Sequence, residues 1–286
     1  MWISENWTDY ELIDASDGER LERWGKYTLI RPDPQVLWKG ARRSPLWKEA
    51  DASYKRSHRG GGAWQENRLP ESWTVGYGKL KFLIKPTGFK HTGLFPEQAT
   101  NWDWFSGLIA CANRPIRVLN LFAYTGGATV AAAAAGASVC HVDAARGMVA
   151  QAKENARLSG LENAPIRYIV DDCKKFVERE IRRGSQYDGI IMDPPSYGRG
   201  PTGEVWKIEE CIDELITLTA QLLSDKPLFF LVNSYTTGLS PLSMQYMADI
   251  RIRPRHGGHG QAMEIALPVK ESGAYLPCGA SVRYEF

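Results

Sequence analysis

The stretch Ile116–Gly127, with the sequence IRVLNLFAYTGG, decides the fold of this chain. Its first half is a compact apolar run of the kind that forms a buried strand, and it ends in a glycine-bearing turn. The alanine-rich segment 128–135 that follows is strongly helix-prone. A buried strand, a glycine turn and a helix in this order indicate one unit of a parallel sheet covered by helices.

The same alternation of apolar strands and helices continues along the chain. Further apolar strands are predicted at 139–142, 166–170, 187–192 and 228–232, and helices at about 146–159, up to about 183, and at 204–223. Such alternation predicts an α/β fold, a Rossmann-like parallel sheet with helices on both faces. The end of the chain differs, because the strands expected at 263–269 and 280–286 are joined by a loop too short for a crossover helix. These last two strands should therefore be antiparallel.

The first part of the chain, up to about Lys85, has a different pattern. Segments 10–15 and 26–31 alternate apolar and polar residues, and the charged stretch 17–23 between them predicts a helical turn. Segments 73–77 and 79–85 predict a hairpin that turns at Gly76 and Gly78. We therefore expect a small β-rich N-terminal domain over residues 1–88, followed by a larger domain over 89–286.

Within the N-terminal part, Lys39–Arg68 forms a basic Gly/Arg-rich loop. Its eight lysines and arginines face three acidic residues, which leaves a local net charge of +5. Four aromatic residues are interleaved with them: Trp38, Trp47, Tyr54 and Trp64. Such a segment suits a phosphate backbone with exposed bases, but a solvated surface loop explains it equally well.

Composition narrows the class of protein. The 286 residues are 43% apolar and 24% charged with a net charge of +2, which is ordinary for a globular protein. The sequence contains no apolar run of the ~18 residues that a membrane span needs, and its start does not resemble a signal peptide. Five scattered cysteines without a C-x-x-C pair, and the two histidines of 255–260, do not suggest a metal site. These features favour a cytoplasmic enzyme or binding protein.

The residues that follow the predicted strands carry the functional information, because ligands of open α/β sheets bind at the carboxyl ends of the strands. After the first strand comes Asn120–Gly127, whose glycines let the backbone approach a ligand closely. This turn alone is weak evidence for a nucleotide-like ligand. It is neither a phosphate-binding P-loop nor the G-x-G-x-x-G of dinucleotide sites.

Two carboxylates follow the next strands. Asp143 ends the second strand, where a carboxylate can accept both hydroxyls of a ribose, and Asp172 follows the third, where it can accept an adenine amino group. For each residue, capping of the following helix is the rival explanation. Their occurrence in strand order, after the glycine turn, indicates a nucleoside-shaped site.

The fourth strand ends in Asp193-Pro194-Pro195-Ser196-Tyr197. The prolines lack N–H groups, so we expect carbonyls to point at an incoming group. Asp193 can accept a proton or a hydrogen bond from an amino group, and Tyr197 can stack on a planar ring. The alternative is a proline-rich turn that merely ends the strand.

With these motifs the chain resembles the class I S-adenosylmethionine (SAM)-dependent methyltransferases. In particular it is similar to the large-subunit ribosomal RNA methyltransferases that modify cytosine carbon-5 or guanine N7. The family's first motif matches Asn120–Gly127, its ribose and adenine acids match Asp143 and Asp172, and its D-P-P-x-[FY] motif matches Asp193–Tyr197. Its K-T-G-x-F-x-D-Q segment matches His91–Gln98, with His in place of Lys and Glu in place of Asp.

The resemblance covers roughly residues 75–286 and implies a seven-stranded sheet with an antiparallel C-terminal strand. It implies SAM as the cofactor and ribosomal RNA as the substrate, with no metal and no membrane; it predicts no oligomeric state. The implied catalytic residues are Asp193, Pro194, Pro195 and Tyr197. The implied cofactor-binding residues are Phe95, Gln98, Asn120, Phe122, Tyr124, Thr125, Gly126, Gly127, Asp143, Ala144, Asp172 and Cys173.

Two departures from the family bear on the substrate. Many members carry an N-terminal RNA-binding module, and only the β-rich segment is recognised here. Carbon-5 members have Ser-Cys-Ser after the fifth strand, where this chain has Asn233-Ser234-Tyr235. Since methylation of cytosine carbon-5 needs a cysteine nucleophile, we expect a nitrogen acceptor. The alternatives are a SAM-dependent enzyme acting on a protein or a small molecule, and a non-catalytic RNA-binding protein.

Overall fold

A computed structural model describes residues 1–57, 61–88, 90–199 and 205–286 of the chain. These residues divide into two units. The larger unit comprises 101–264 and 279–286 together with Met1, and the smaller unit comprises 2–100 and 265–278. The domain boundary expected between residues 88 and 89 stays a prediction.

In the described chain the larger unit is built around seven strands. They are β9 (Arg117–Leu121), β10 (Ser138–Asp143), β11 (Ile166–Val170), β12 (Gly189–Met192), β15 (Phe229–Ser234), β16 (His259–Pro268) and β17 (Tyr275–Glu285), the last two shared with the smaller unit. Their order in the sheet is β16-β17-β15-β12-β9-β10-β11, and a short eighth strand, β1 (Trp2–Ile3), pairs with β16 at its edge. Strands β15, β12, β9, β10 and β11 are parallel, and β17 is antiparallel to β15. The expected α/β sheet with an antiparallel C-terminal strand is confirmed.

The helices are α1 (Ala99–Cys111), α2 (Gly127–Ala134), α3 (Arg146–Leu158), α4 (Cys173–Arg182), α5 (Ile208–Ala220) and α6 (Pro241–His256). Leu119, Leu121 and their counterparts on the neighbouring strands form one apolar core with residues of α4, α5 and α6. Successive residues of a strand point to opposite faces, so Asn120 and His141 face the other way. On that face, Thr129 of α2 bonds both Asn120 and His141.

Strand register sets the position of the site. Leu121 is paired with Val142 on one side and with Met192 on the other, and Asp143 is paired with Val170. Because these strands are parallel, the segments that follow them all leave the sheet at the same edge. The turn after β9, Asp143 and the residues after β11 and β12 are therefore neighbours in the order β12-β9-β10-β11.

A hairpin not expected from the sequence lies between β12 and α5. It consists of β13 (Tyr197–Arg199) and β14 (Val205–Lys207), which pair antiparallel. The helix predicted at 204–223 therefore begins later, at Ile208, and ends at Ala220; Glu204 lies outside the described residues. Helical periodicity at the start of this segment is overridden by strand pairing of Val205–Lys207.

The smaller unit contains a five-stranded sheet of β2 (Tyr10–Ser16), β3 (Glu19–Trp24), β4 (Tyr27–Pro32), β5 (Ala52–Arg56) and β6 (Gly62–Gln65). A separate hairpin is formed by β7 (Trp73–Tyr77) and β8 (Leu80–Ile84), as expected, and the short β1 (Trp2–Ile3) pairs with β16. The helical turn predicted at 17–23 is wrong, because β3 occupies this segment. Asp17 and Gly18 both have positive φ (55° and 76°), the conformation that closes a tight hairpin.

The basic segment 39–68 is only partly a loop, since β5 and β6 lie within it. Arg42 and Lys55 form ion pairs with Glu19, at 2.6 and 2.8 Å, and Arg43 and Arg68 lie within 4 Å of Asp14 and Asp51. Trp47 and Tyr54 are buried, and the side chains of Trp38 and Trp64 donate to backbone carbonyls. The rings of Trp47 and Tyr54 are therefore not accessible, whereas Trp38 is 43% exposed. Whether this segment binds nucleic acid stays a prediction, and His58 and Arg59 lie outside the described residues.

Candidate functional site

The turn after β9 is held in an uncommon backbone conformation. Phe122, Tyr124 and Gly126 have φ values of 53°, 50° and 81°, in the left-handed region that residues other than glycine rarely occupy. Backbone strain of this kind persists only where surrounding contacts enforce it, and it is concentrated at functional sites. The alternating conformation turns the chain sharply from the end of the strand to the start of α2.

Glycine is required at both positions where the turn enters α2. A Cβ on Gly126 would lie 2.8 Å from Cβ of Ala152, and one on Gly127 would lie 2.6 Å from the indole of Trp102. Atoms this close would overlap, so α3 and α1 leave no room for a side chain. The two glycines let the turn lie directly against the helices.

Several buried polar groups hold the turn from below. Asn155 of α3 donates to the Thr125 carbonyl at 2.7 Å. Asn120 donates to Thr129 Oγ1 at 2.9 Å, and that oxygen lies 2.9 Å from Nδ1 of His141. Burial lowers the pKa of His141 to about 4, so its ring is neutral at neutral pH. Sequence reasoning missed Thr129, His141 and Asn155, because their partners are brought close only by the packing of α2 and α3 on the sheet.

Asp143 connects the end of β10 to the turn. Its two carboxylate oxygens accept the backbone N–H groups of Tyr124 and Ala145, each at 2.8 Å. A carboxylate offers about four lone-pair sites, so acceptor capacity remains for hydroxyl groups of a ligand. Ala144, the next residue, is exposed at the same edge.

Asp172 and Cys173 follow the next strand. The Asp172 side chain accepts the N–H of Lys175 at 2.9 Å and caps α4, which is the rival role considered from the sequence. Asp172 is nevertheless exposed, so its carboxylate also faces solvent. Cys173 is buried, and its Sγ accepts the N–H of Phe122 at 3.2 Å. Burial raises the pKa of this thiol far above its usual range, which makes it a structural contact rather than a nucleophile.

The Asp-Pro-Pro turn follows β12, beside the turn after β9. Asp193 N–H points to the Leu121 carbonyl at 3.4 Å, which ties the two turns together. The carbonyl of Pro195 accepts the indole N–H of Trp206 at 2.6 Å. A protein donor therefore already uses one of the two lone pairs of the Pro195 carbonyl, and the expectation that the carbonyls of this turn point at an incoming group stays a prediction. Pro194 is buried.

Tyr197 begins β13 and presents an accessible ring, with 53% of its surface exposed. It is paired across the hairpin with Lys207. An exposed aromatic ring that follows an acid–proline turn suits stacking on a planar group.

The end of β15 differs from its neighbours. Asn233 and Ser234 are both 2% exposed. The Asn233 side chain accepts from Asn101 and from Ser281, at 3.3 and 2.6 Å. Ser234 Oγ lies 3.4 Å from the N–H of Thr236. Both side chains therefore serve internal hydrogen bonds.

Phe95 and Gln98 belong to the smaller unit. Phe95 precedes the short 3-10 turn Pro96–Gln98, and its ring centroid lies 5.6 Å from that of His91. Gln98 is buried. Their contribution to cofactor binding stays a prediction, as does the role of every other residue in the implied site.

The residues of the larger unit fit a SAM site by the chemistry of their donors and acceptors. The glycine turn lets the backbone approach an amino-acid tail closely. The carboxylate after β10 suits a ribose, and the carboxylate after β11 suits an adenine amino group. Within the described residues no group of three or more His, Cys, Asp or Glu side chains is placed to hold a metal ion. Among the same residues no helix is long and apolar enough to span a bilayer.

Comparison with known proteins bears on the class of protein and its cofactor. Residues 52–225 match the sequence model of a family described as S-adenosylmethionine-dependent methyltransferase. A solved SAM-dependent methyltransferase from Agrobacterium tumefaciens is 39% identical and superposes with a TM-score of 0.92. The match covers 99% of this chain and 92% of that one.

Curated relatives match over a shorter part. Ribosomal RNA large subunit methyltransferase K/L of Shewanella baltica is 38% identical over 133 residues, and that of Shewanella frigidimarina is 34% identical over 161 residues. These matches cover 46% and 56% of this chain. They span only 18% and 22% of the relatives, so about half of this chain matches about a fifth of those longer proteins.

Proposed function

Since the chain belongs to the S-adenosylmethionine-dependent methyltransferase family, we propose that it transfers a methyl group to a base nitrogen of ribosomal RNA. The observation that carries this proposal is the Asp193–Tyr197 turn, which places an acid, two prolines and an exposed ring next to the glycine turn of the cofactor site. The names of the curated relatives support ribosomal RNA as the substrate class. An enzyme with this substrate would work in the cytoplasm.

The cofactor would be held by the segments that follow β9, β10 and β11. Asp143 would accept the ribose hydroxyls, and Asp172 would accept the adenine amino group. The backbone of Phe122–Gly127 would lie against the amino-acid part, while Ala144 and Cys173 would line the nucleoside. Phe95 and Gln98 are included from the resemblance alone.

The protein's contribution to catalysis is mainly positioning. The bound cofactor supplies a methyl group that is already activated on a sulfonium. Tyr197 would stack on the base, and Asp193 with the Pro194 carbonyl would orient an amino or ring nitrogen so that its lone pair is in line. Asp193 can also accept the proton that an amino group releases once it is methylated.

Two observations on this chain favour a nitrogen acceptor over cytosine carbon-5. Carbon-5 is a poor nucleophile, and its methylation requires a thiolate beside the base. The residue after Asn233 is Ser234, whose buried hydroxyl lies near the Thr236 N–H. Cys173 is buried with a raised pKa, and so are Cys140 and Cys278. Direct attack by a nitrogen lone pair needs no such thiolate.

The basic segment 39–68 contributes less to the RNA proposal than its charge implies. Four of its basic side chains, Arg42, Arg43, Lys55 and Arg68, are in ion pairs with carboxylates of the smaller unit. Pairing with these carboxylates reduces the positive charge that is available to phosphates. Support for RNA therefore rests on the acceptor turn and the relatives.

The proposal is tested by incubating the protein and radiolabelled SAM with three acceptor pools taken from a strain that lacks the gene. These pools are large-subunit ribosomal RNA, transfer RNA and total protein, and Asp193→Asn serves as the inactive control. We expect label in ribosomal RNA only, in a nucleoside that mass spectrometry identifies as methylated on nitrogen. Label in protein, or in none of the pools while SAM still binds, would contradict the RNA assignment.

A further inference from the structure

We propose that Trp206, on the hairpin between β12 and α5, is a positioning residue that couples the Asp-Pro-Pro turn to the cofactor-binding turn. Trp206 lies in β14 and is partly buried. It makes one polar contact with the turn after β12 and one aromatic contact with the turn after β9. Its position was not singled out by any motif in the sequence.

The polar contact fixes the backbone of the acceptor turn. The indole N–H donates to the Pro195 carbonyl at 2.6 Å, a short distance for a bond of this type. Trp206 is paired across the hairpin with Gly198. A Cβ built on Gly198 would lie at ordinary van der Waals distance from Trp206 and Pro195, 3.7 Å from Cβ of Trp206 and 3.8 Å from Cγ of Pro195, so Gly198 lies beside both residues.

A second bond attaches the same turn to α5. The N–H of Ile208 donates to the Ser196 carbonyl at 3.1 Å. Pro195 and Ser196 are thus both held by residues at the far end of the hairpin, just before and at the start of α5. The Pro195 carbonyl accepts a bond from Trp206, and the Ser196 carbonyl accepts one from Ile208. These two bonds set the orientation of both carbonyls.

The aromatic contact reaches the cofactor turn. The ring of Trp206 lies against that of Phe122, with centroids 5.6 Å apart and planes tilted by 46°. Phe122 has φ = 53°, which costs a non-glycine residue conformational energy. Ring packing on one side and the bond from its N–H to Cys173 on the other enforce this conformation.

The consequence is a physical link between two parts of the site. A change at Phe122 is transmitted through the indole ring to its N–H, and from there to the Pro195 carbonyl. Binding of the cofactor against the turn after β9 would therefore stiffen the acceptor turn. This inference rests on the proposed function only where methyl transfer is the readout.

The first experiment measures the link without any acceptor. Binding of S-adenosylhomocysteine is determined by calorimetry for Phe122→Leu, Trp206→Leu and the double variant. We expect each single change to weaken binding by about fivefold, and the double change by much less than the product, because both remove one ring contact. Independent effects that multiply would overturn the aromatic half of the proposal.

The second experiment reads the acceptor turn directly. Amide hydrogen exchange of peptides that cover 196–198 is followed with and without S-adenosylhomocysteine. We expect the cofactor product to slow exchange in the wild type, but not in Trp206→Phe, which lacks the N–H that donates to Pro195, nor in Trp206→Leu. Equal protection in Trp206→Leu would show that the coupling does not pass through this side chain.

The third experiment isolates the indole N–H. Trp206→Phe keeps a ring beside Phe122 and removes the donor to Pro195, so binding of S-adenosylhomocysteine should stay within about twofold. Methyl transfer to large-subunit ribosomal RNA at saturating SAM should fall about tenfold, the effect of a hydrogen bond at the upper end of its usual range. A wild-type rate in Trp206→Phe would overturn the polar half of the proposal.

Trp104→Phe is the matched control. Trp104 also donates a 2.6 Å indole bond, to Glu285 at the end of β17, and its ring packs on Phe229. This variant also loses an indole N–H bond within the same unit, here to a carboxylate, so equilibrium unfolding of both variants shows the cost to stability. We expect Trp104→Phe to bind and transfer as the wild type does. Absence of methyl transfer by the wild type would contradict the proposed function, while the first two experiments would still decide the coupling.

Discussion

The carboxylate of Asp143 accepts the backbone N–H of Tyr124 at 2.8 Å and so joins the end of β10 to the turn after β9. Tyr124 is one of two non-glycine residues of this turn with positive φ. Asp143 therefore has two functions, to hold a strained turn in place and, under the proposed function, to bind the ribose.

These two functions predict a graded effect of substitution. Asp143→Ala should weaken SAM affinity by about 1–3 kcal/mol, the scale for loss of hydrogen bonds to a charged group. Asp143→Asn keeps one acceptor oxygen and should fall between that variant and the wild type. Calorimetry with SAM measures both, and an unchanged affinity in folded Asp143→Ala would remove this residue from the site.

Gly126 and Gly136 allow the effect of close packing around the turn to be separated from the effect of positive φ. Both have positive φ, 81° and 102°, but a Cβ on Gly126 would meet Ala152 at 2.8 Å, whereas no described atom lies within 4 Å of one on Gly136. Each Gly→Ala change should cost about 1–3 kcal/mol of stability from backbone strain. Gly126→Ala should cost at least about 1 kcal/mol more, from overpacking.

SAM affinity should separate the same two variants. We expect a loss of at least about tenfold for Gly126→Ala, or about 1.4 kcal/mol, and almost none for Gly136→Ala. Urea unfolding and calorimetry provide the two measurements. Equal losses of affinity in both variants would mean that the turn after β9 does not contact the cofactor.

Tyr197 should act through its ring rather than its hydroxyl. Tyr197→Phe should transfer methyl groups to ribosomal RNA at close to the wild-type rate, while Tyr197→Ala should raise the KM for RNA about tenfold or more. The expected size follows from base stacking, which contributes about 1–3 kcal/mol per base. Steady-state kinetics with saturating SAM measures both, and a Tyr197→Ala enzyme with an unaltered KM would exclude stacking.

The chemical class of the acceptor is decided by the methylated nucleosides of a deletion strain. We expect ribosomal RNA from this strain to lose a nitrogen-methylated nucleoside and to keep its 5-methylcytosine. Of the five cysteines only Cys111 and Cys211 are not buried. Cys111→Ala and Cys211→Ala should therefore both restore the modification. Loss of 5-methylcytosine that either variant fails to restore would establish covalent catalysis instead.

The buried histidine under the turn predicts a dependence of stability on pH. An unfolded histidine binds a proton near pH 6.5, whereas burial lowers the pKa of His141 to about 4. Between these values the unfolded chain binds more protons than the folded chain, so the free energy of unfolding falls as the pH falls. The resulting loss in the free energy of unfolding reaches up to about 3 kcal/mol at the acid end of this window.

His141→Gln should flatten this part of the profile, because glutamine keeps a polar side chain near Thr129 but does not titrate. Urea unfolding at intervals between pH 7 and pH 4 measures the slope. His259 is exposed in the same unit, and His259→Gln should leave the slope as it is in the wild type. A parallel profile for His141→Gln and the wild type would show that this histidine is not buried in its neutral form.

Much of the fold could be predicted from the order of apolar segments. Buried parallel strands appear as short apolar runs, and helices between them must return the chain to the same edge of the sheet. The turn after β9, Asp143, Asp172 and Asp193 could therefore be assigned to a common edge from the amino-acid sequence alone. Strand register confirms this arrangement, because Leu121 lies between Val142 and Met192.

The local sequence pattern predicted the structure poorly where a turn of the backbone, or a residue distant in the sequence, determines the conformation or the ion pairs. The charged stretch 17–23 forms β3, because the turn at Asp17 and Gly18 returns the chain alongside β2. The basic segment 39–68 has a high net charge in the sequence, yet Arg42 and Lys55 reach Glu19, 23 and 36 residues away. The net charge of a segment does not show which of its side chains form ion pairs in the folded protein.

The sequence by itself determined the strand ends and their candidate residues, because these follow from periodicity, and it indicated the family and the cofactor, because motifs that are contiguous in the chain resemble those of known methyltransferases. Only the tertiary structure decided how those residues are held. Phe122 and Tyr124 take a conformation that their side chains disfavour, and contacts with Cys173 and Asp143 enforce it. Trp206 links two turns from different strands. Such contacts join residues that are far apart in sequence, so they depend on packing rather than on local composition.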